Sequence, residues 1–518
     1  MQHTPVLIIG GSLVGLSASL FLSLRGVPHV LVEKHAGSSP HPRAMGFTEH
    51  TLEYFRACGL GDAIPHTPPD ARLQRVTADS LAGTWGDTLP WTPGEPGAAP
   101  ADFSPCRGAA IAQDRLEPIL REATRARGAD LRYGHRLCEW QAVDDGVVAV
   151  LEDRSTGERS PIHARWLLAC DGADSPIREQ LGIAREGVGH LRTLRSVLFR
   201  CEQADAWLAR GVQQFQIVQP ALQGFLTTYG DSRWVLMFND DQLRSDDELH
   251  AAVRKALGAD MPVELLATGR WELAGRIART YREGNVFLLG DAAHQLPPTR
   301  GGFGANTGID DAWNLAWKLQ LVLQGVSNEA LLDSYSSERQ PIGWLRHQQT
   351  FARPDYARWV DTPVQAPLYG NAAMELGQLQ RSAIVIGAGA DLPPAAAPDE
   401  WKGQPGTRAP HRWVQRDGVT VSTVDLFVQH FTLVSEDPQW LQAARDAAAK
   451  LGLPLATLQP GVDLVVGDSA AFRDAFGIGP HGATLVRPDG VVAWRQASAG
   501  EDALAMMMQV LRTVACVA

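Results

Sequence analysis

The segment V-L-I-I-G-G-S-L-V-G-L-S-A-S-L, from Val6 to Leu20, decides the fold. Its β-branched start predicts a buried strand, and the Leu-, Ala- and Ser-rich stretch 12–25 predicts a helix that ends at Gly26. A second strand follows at 30–32 and ends in Glu33. The order of strand, glycine turn, helix and strand predicts a βαβ unit of a parallel sheet.

The turn after the first strand, Gly10 to Gly15, departs from the G-x-G-x-x-G pattern because Ser12 occupies its third position. Serine is small, so the backbone N–H groups and the positive end of the helix dipole can still face a pyrophosphate. Glu33 at the end of the second strand can accept hydrogen bonds from a ribose diol, which favours FAD or NAD over NADP. The alternative is a tight strand-to-helix turn that binds nothing.

A second glycine string, Gly477 to Gly482, matches G-x-G-x-x-G in full but has the wrong context. It follows the helix-like stretch 470–476 and precedes the strand-like stretch 483–486, which reverses the order that phosphate binding needs. We therefore predict a loop there.

The composition excludes several classes of function. The chain has 518 residues, enough for two or three domains, with 45% hydrophobic and 20% charged residues. Its net charge of −11 and its lack of basic runs argue against nucleic acid as a partner. No cysteine pair has redox or zinc spacing, so we expect a reduced cytoplasmic chain without a metal site. The charge-free segment 6–24 is broken by glycines, so we expect neither a membrane span nor a targeting segment.

The rest of the chain shows further elements. Apolar residues at helical spacing predict a helix over 310–323. The Pro- and Gly-rich stretches 87–105 and 392–410 are predicted to be a surface excursion and a linker, and a last α/β domain follows the linker. Turn residues separate β-rich stretches that predict an antiparallel meander: 214–218, 225–229 and 233–238.

Two further motifs place an aspartate at the end of a predicted strand. In L-A-C-D-G-A-D-S-P-I-R, Leu168 to Arg178, Asp171 follows the strand and a capped helix begins shortly afterwards. In V-F-L-L-G-D-A-A-H-Q-L-P-P-T-R-G-G-F-G-A-N-T-G, Val286 to Gly308, Asp291 ends a strand and a glycine-rich loop leads into the next helix. Such carboxylates face the ligand crevice of a parallel sheet, and the loop with its helix dipole can stabilise an anion such as a reduced flavin.

The three motifs, in this order, resemble those of the FAD-dependent aromatic hydroxylases typified by para-hydroxybenzoate hydroxylase. The resemblance covers about Val6 to Thr350, and the length of the chain is similar to that of the larger members that act on aromatic polyketides. It implies an α/β fold with a Rossmann-like FAD-binding domain (1–185 and 270–395) and an inserted antiparallel-sheet substrate-binding domain (186–269). It also implies a C-terminal thioredoxin-like α/β domain (403–518) that lacks redox cysteines.

By this resemblance, FAD binding falls on the first glycine turn, the Pro42-Arg43-Ala44 segment, the Asp-Gly motif and the glycine-rich loop. Ser12 and a loop lengthened at 300–302 depart from the family pattern. The cofactor-binding residues that the resemblance implies are Gly10, Ser12, Leu13, Val14, Gly15, Glu33, Lys34, Arg43, Gln113, Asp171, Asp291, Pro298, Gly302, Gly304, Ala305 and Asn306.

The resemblance also implies the reaction. NADPH or NADH, bound without a Rossmann domain of its own, reduces FAD. O₂ then forms a flavin C4a-hydroperoxide, which hydroxylates a phenolic, polycyclic aromatic polyketide. Tyr229, Arg279 and His294 are candidates for polarising the substrate phenol, with a structural role as the alternative for His294. We expect a monomer or homodimer.

Two alternatives to hydroxylation remain open. The same flavin chemistry can give Baeyer–Villiger insertion or epoxidation on a polycyclic substrate, including an antibiotic. A protein of another class would bind FAD without oxygenating anything and act as a scaffold. The presence of both aspartate motifs and of the glycine-rich loop favours the enzyme.

Overall fold

The described residues form a mixed α/β structure with several sheets. The computed structural model describes residues 1–68, 74–89, 102–298, 303–500 and 502–517. The described strands are β1 Gln2–Ile9, β2 His29–Glu33, β3 Gly46–Phe47, β4 Arg75–Ala78, β5 Trp85–Leu89, β6 Ala109–Ala110, β7 Asp130–Tyr133, β8 His135–Val143, β9 Gly146–Asp153, β10 Arg159–Ala169, β11 Arg185–Arg200, β12 Gln214–Gln219, β13 Leu222–Thr228, β14 Arg233–Phe238, β15 Glu264–Ala278, β16 Arg282–Glu283, β17 Val286–Leu288, β18 His294–Gln295, β19 Trp413–Arg416, β20 Val419–Ser422, β21 Phe431–Val434, β22 Leu455–Leu458, β23 Ala483–Val486 and β24 Val492–Gln496. The described α-helices are α1 Leu13–Leu24, α2 Glu49–Ala57, α3 Gln113–Ala126, α4 Pro176–Gln180, α5 Asp246–Leu257, α6 Phe303–Leu323, α7 Ala330–Phe351, α8 Pro354–Ala357, α9 Asn371–Leu376, α10 Pro398–Trp401, α11 Pro438–Leu451, α12 Ser469–Phe476 and α13 Ala503–Ala515.

The first sheet is mostly parallel and has the order β16-β17-β10-β1-β2-β7. Val6, Leu7 and Ile8 of β1 have no exposed surface, as expected for a strand that is covered on both faces. Helix α1 connects β1 with β2 and packs against α3 and α6. The βαβ unit predicted from the opening segment is therefore confirmed.

The second sheet has the order β18-β15-β11-β14-β13-β12-β4-β5. Its centre contains the predicted antiparallel meander, β12 to β14. The predicted boundaries 186–269 omit β4 and β5, because β12 pairs with β4 across a long sequence separation that no local pattern reveals. Of the predicted surface excursion 87–105, residues 87–89 belong to β5 and residues 90–101 lie outside the described residues.

Helix α6 is longer than the sequence predicts, since it begins at Phe303 and not at Asp310. A glycine in a helix interior is about 1 kcal/mol less favourable than an alanine. Gly304 and Gly308 therefore made the first turns of α6 look non-helical in the sequence. A Cβ atom at Gly308 would lie 2.6 Å from Val14 Cγ2 and 2.9 Å from Gly290 Cα. Close packing, rather than a break in the helix, requires this glycine.

The segment predicted to be a linker, 392–410, is packed against the first domain. Trp401 of α10 is buried, and its indole N–H donates to the Gly377 carbonyl at 2.7 Å. Arg408 donates through Nε to Glu53 of α2 at 2.8 Å. The linker assignment stays a prediction, and the structure shows that this connection is fixed by a buried tryptophan and an ion pair.

The C-terminal part forms a separate sheet in the order β22-β21-β23-β24. Strands β21 and β22 are parallel and are joined by α11, while β23 and β24 are antiparallel to their neighbours. Residues 477–482 connect α12 to β23 without regular structure, so the loop predicted for the second glycine string is confirmed. Among the described residues, no helix has both the length and the apolar character needed to cross a membrane.

Buried charges join the C-terminal part to α6 and α7. Arg487, which follows β23, donates through Nη1 to Glu338 Oε1 at 2.6 Å. Lys318 Nζ donates to Oε2 of the same carboxylate at 2.8 Å, and none of the three side chains is exposed. Burial would raise the pKa of Glu338, but Arg487 and Lys318 hold it well below its ordinary value.

We expect Arg487→Met to lower the free energy of unfolding by about 3–5 kcal/mol, because it leaves a buried carboxylate with one of its two cationic partners removed. Arg473→Met is the matched control, since the Arg473–Glu436 pair is partly exposed and should contribute less than about 1 kcal/mol. Urea unfolding followed by tryptophan fluorescence measures both variants. Equal losses would contradict the role assigned to the buried pair.

Candidate active site

The first glycine turn is shaped by close contact between chain segments. Gly10 has a φ of +106°, and a Cβ atom there would lie 2.2 Å from the Cys170 carbonyl oxygen. A Cβ atom at Gly15 would lie 1.8 Å from the Gly10 carbonyl oxygen. Only glycine fits at these two positions, so the end of β1, the start of α1 and the end of β10 approach one another as a pyrophosphate-binding turn requires.

Helix α1 begins without a side-chain cap or an acidic residue in its first turn. Its N-cap, Ser12, donates its hydroxyl to Glu117 Oε1 at 2.7 Å and accepts a hydrogen bond from Gln113 Nε2 at 2.8 Å. Among the described residues, no side chain caps the first-turn N–H groups of α1, which include those of Leu13 and Val14. An uncapped N-terminus favours an anionic ligand such as a pyrophosphate.

Glu33 lies over the same turn. Its Oε2 accepts a hydrogen bond from the Gly11 N–H at 2.7 Å, and its Oε1 accepts one from the His35 N–H at 2.8 Å. The neighbouring Lys34 uses its carbonyl oxygen to accept from Arg154. A carboxylate held by two backbone N–H groups is pre-oriented, and its predicted contact with the adenosine ribose stays a prediction.

Asp171 and Asp291 lie at the same edge of the first sheet as Gly10, because β10, β17 and β1 are parallel neighbours. The buried Asp171 Oδ1 atom has no hydrogen-bond partner among the described residues, and burial raises the pKa of this carboxyl. Asp291 lies beside the start of α6, with its Oδ1 3.9 Å from a Cβ atom built at Gly304. The surrounding protein raises the pKa of Asp291, against the opposing effects of His294 and Arg43.

Gln113 connects the Arg43 segment to the glycine turn. Its Oε1 accepts hydrogen bonds from the N–H groups of Arg43 at 3.2 Å and Ala44 at 3.4 Å, while its Nε2 donates to Ser12. The Arg43 side chain is exposed, with its guanidinium carbon 5.8 Å from the ring centroid of Trp271 on β15. The structure thus brings both predicted residues to the glycine turn. The Gln113 amide forms its hydrogen bonds with protein groups.

The glycine-rich loop and the start of α6 complete the cofactor side. Asn306 is buried, and its Oδ1 accepts from the Thr48 N–H at 3.1 Å and the Thr51 hydroxyl at 2.7 Å. Gly304 and Ala305 belong to the first turn of α6. The Pro298 carbonyl accepts from the Tyr356 hydroxyl, and the predicted residue Gly302 lies outside the described residues.

The three residues predicted to polarise a substrate lie in different surroundings. The Tyr229 hydroxyl donates to the Pro42 carbonyl at 2.8 Å. His294 is fully buried and forms a 2.7 Å hydrogen bond with Asp311, which agrees with the structural alternative. Arg279 is 66% exposed at its side chain and pairs with Glu186 at 2.6 Å. This geometry does not support a catalytic role for Arg279, and the three assignments stay predictions.

The sequence did not reveal a series of side-chain hydrogen bonds that connects the second sheet to the Arg43 segment. The Trp271 indole N–H donates to the Ser196 hydroxyl at 2.7 Å, and that hydroxyl lies 2.9 Å from His41 Nε2. Burial lowers the pKa of His41. These residues lie on long strands and a loop without a motif, so only their position beside Arg43 reveals them.

The residues present fit FAD. The tightly packed turn at Gly10 and Gly15 and the uncapped start of α1 suit its pyrophosphate. The carboxylates of Glu33 and Asp291 suit its hydroxyl groups. Within the described part of the chain, no group of three or more His, Cys, Asp or Glu side chains could hold a metal ion.

We expect Gly15→Ala to yield protein with less than about one tenth of the wild-type flavin content, because the added Cβ collides with the Gly10 carbonyl and displaces the turn. Gly37→Ala is the control, since a Cβ atom there would meet nothing within 4 Å. Flavin absorbance relative to protein absorbance measures the content. A fully loaded Gly15→Ala variant would show that the turn does not hold the cofactor.

Comparisons with known proteins agree with this site. The family model of the FAD binding domain matches residues 3–350, and the model described as aromatic-ring hydroxylase, C-terminal, matches residues 402–514. The chain is 37% identical over 551 residues to tetracenomycin A2 monooxygenase-dioxygenase of Streptomyces glaucescens, covering 99% of this chain and 97% of that protein. It is 37% identical over 542 residues to 4-methyl-5-nitrocatechol 5-monooxygenase of a Burkholderia species, covering 99% of this chain and 98% of that protein.

A solved structure shows the same architecture. The ternary complex of aklavinone-11 hydroxylase with FAD and aklavinone superposes with a TM-score of 0.87 at 33% identity, covering 100% of this chain and 99% of that one. The sequence motifs, the geometry of the first sheet and these similarities agree, and the chain belongs to the FAD-dependent aromatic-ring hydroxylases.

Proposed function

We propose that the protein is an NAD(P)H-consuming monooxygenase that hydroxylates a phenolic ring of a polycyclic aromatic polyketide. The observation that carries this proposal is the meeting of Gly10, Asp171 and Asp291 at one sheet edge, beside a second sheet. Relatives named for tetracenomycin and aklavinone support the substrate class. The further small-molecule partners are O₂ and either NADPH or NADH, and the enzyme is a monomer or homodimer.

FAD supplies the redox chemistry and the activation of O₂, so the chain needs few acid–base groups of its own. The glycine turn and the two aspartates hold the cofactor at the end of the first sheet. The second sheet contacts the Pro42–Arg43 segment through Tyr229 and through the chain of Trp271, Ser196 and His41. These contacts support a closed substrate space from which water is excluded, as oxygen transfer requires.

The C-terminal domain is proposed to be thioredoxin-like. Its order of β21-α11-β22-α12-β23-β24-α13 and its sheet order β22-β21-β23-β24 support this assignment. Cys516 is the single cysteine between residues 403 and 518, so the domain has no dithiol for redox exchange. We propose a structural role, consistent with the buried ion pair between Arg487 of this domain and Glu338 of α7.

The function is tested by following NAD(P)H oxidation by the purified yellow protein with O₂ and a panel of phenols, anthraquinones and angucyclinones. We expect polycyclic phenols to stimulate the oxidation and to gain one ring hydroxyl whose oxygen comes from ¹⁸O₂. A lactone product would instead indicate Baeyer–Villiger insertion. The absence of substrate-stimulated oxidation across the panel would favour a non-oxygenating scaffold.

Tyr229→Phe tests the role of this phenol. Burial raises the pKa of Tyr229, so the neutral hydroxyl donates to Pro42 and anchors the segment that carries Arg43. Loss of one such hydrogen bond should weaken FAD binding about fivefold and lower kcat by less than about tenfold. A fall in kcat of more than about a hundredfold with unchanged FAD affinity would instead show that the hydroxyl takes part in proton transfer.

A further inference from the structure

Asp311 on α6 holds both sides of the turn that carries Asp291. Its Oδ2 accepts hydrogen bonds from the Gly290 N–H at 3.2 Å and from His294 Nε2 at 2.7 Å. Its Oδ1 accepts from Arg339 Nε of α7 at 2.8 Å. The side chains of Asp311 and His294 are fully buried, and that of Arg339 is 2% exposed. One buried carboxylate therefore links α6, α7 and the residues on either side of Asp291.

Steric contacts leave this turn little room to move. Gly290 has a φ of +60°, and a Cβ atom there would lie 2.9 Å from Val14 Cγ2. A Cβ atom at Gly308, one helical turn before Asp311, would lie 2.9 Å from Gly290 Cα. The turn is thus packed between α1 and α6, and a change at Asp311 cannot be absorbed by empty space.

The partners of Asp311 keep it ionised. Burial would raise the pKa of Asp311, but His294 and Arg339 bring it below its ordinary value. Burial would likewise lower the pKa of Arg339, and the nearby Asp311 and Asp310 raise it instead. The hydrogen bonds of Asp311 are therefore charge-assisted, which makes them stronger than those between neutral groups.

We infer that Asp311 is a positioning residue for FAD: held by Arg339, it fixes the Gly290–Asp291 turn in which Asp291 presents its carboxylate to the cofactor. The inference rests on FAD being the cofactor. Asp311 acts through the backbone of the turn and through His294, and it does not contact the reacting atoms. Without its charge, the Gly290 N–H loses a strong acceptor and Arg339 is left buried without its main partner.

Asp310 provides a matched control on the same helix. It is also buried, but it faces His50 and Tyr54 of α2 around a cavity of about 20 Å³, and its Oδ2 lies 3.7 Å from Arg339. Burial raises the pKa of Asp310 to about 6. Asp310→Asn therefore removes a buried carboxylate from the same helix without changing the acceptor of the Gly290 N–H. If the loss of any buried carboxylate of α6 weakened FAD binding, the variants at positions 310 and 311 would both lose affinity.

The experiment compares the holoproteins of wild type, Asp311→Asn, Asp311→Glu and Asp310→Asn. FAD affinity is measured from the fluorescence of flavin released on dilution, and the environment of bound flavin from visible circular dichroism at saturating FAD. Unfolding of each holoprotein in urea is measured alongside. Asp311→Glu keeps the negative charge for Arg339 while displacing the carboxylate from Gly290, so it decides the question if Asp311→Asn does not fold.

We expect both Asp311 variants to bind FAD about 10- to 100-fold more weakly and to show an altered flavin dichroism at saturation, with Asp310→Asn close to wild type. Unchanged FAD affinity and dichroism in Asp311→Glu would overturn the inference, even if its unfolding midpoint fell. An equal loss of affinity in Asp310→Asn would overturn it too. Failure of the wild type to bind FAD would overturn the cofactor assignment itself, which separates the two failures.

Discussion

The pairing of buried charges between α6 and α7 is the interaction on which both ends of the molecule depend. Asp311 and Lys318 on α6 meet Arg339 and Glu338 on α7, at sites with 2% or less exposed side-chain surface. Leaving one of these charges unpaired costs several kcal/mol, so the helices are held in one relative position. Glu338 and Arg339 are adjacent on α7 and contact Arg487 and Asp311, respectively. The same helix therefore supports both the C-terminal domain and the Gly290–Asp291 turn.

Parallel strand pairing explains how motifs far apart in sequence form one site. The strands β1, β10 and β17 are neighbours, and Gly10, Asp171 and Asp291 follow their carboxyl ends. Close packing adds precision, because glycines let α1, α6 and the intervening turns come into direct contact. Since the flavin carries the chemistry in this family, the main task of the protein is to place the cofactor and to cover the reacting centre.

Local patterns predicted the elements whose signal is local. The βαβ unit, the meander and the loop at 477–482 are all confirmed, because each depends on hydrophobic period or on turn residues within a short window. The start of α6 was misjudged because glycine can serve close packing as well as flexibility. The composition of 392–410 likewise did not reveal that this segment is packed against the first domain. The strands β4 and β5 were missed as members of the second sheet because their pairing is distant in sequence.

The sequence by itself determined the glycine turn, the two aspartate motifs and the family they resemble, since short motifs carry the residue types that phosphate and sugar hydroxyls require. Only the tertiary structure decided how those residues are supported. In the sequence, Asp311 lies in the helix predicted over 310–323 and Arg339 lies in a segment with no predicted element. The sequence does not show that the two side chains form an ion pair. Their role depends on a contact between two helices where both side chains are buried and each charge needs a partner, and such contacts leave no periodic signal in the chain.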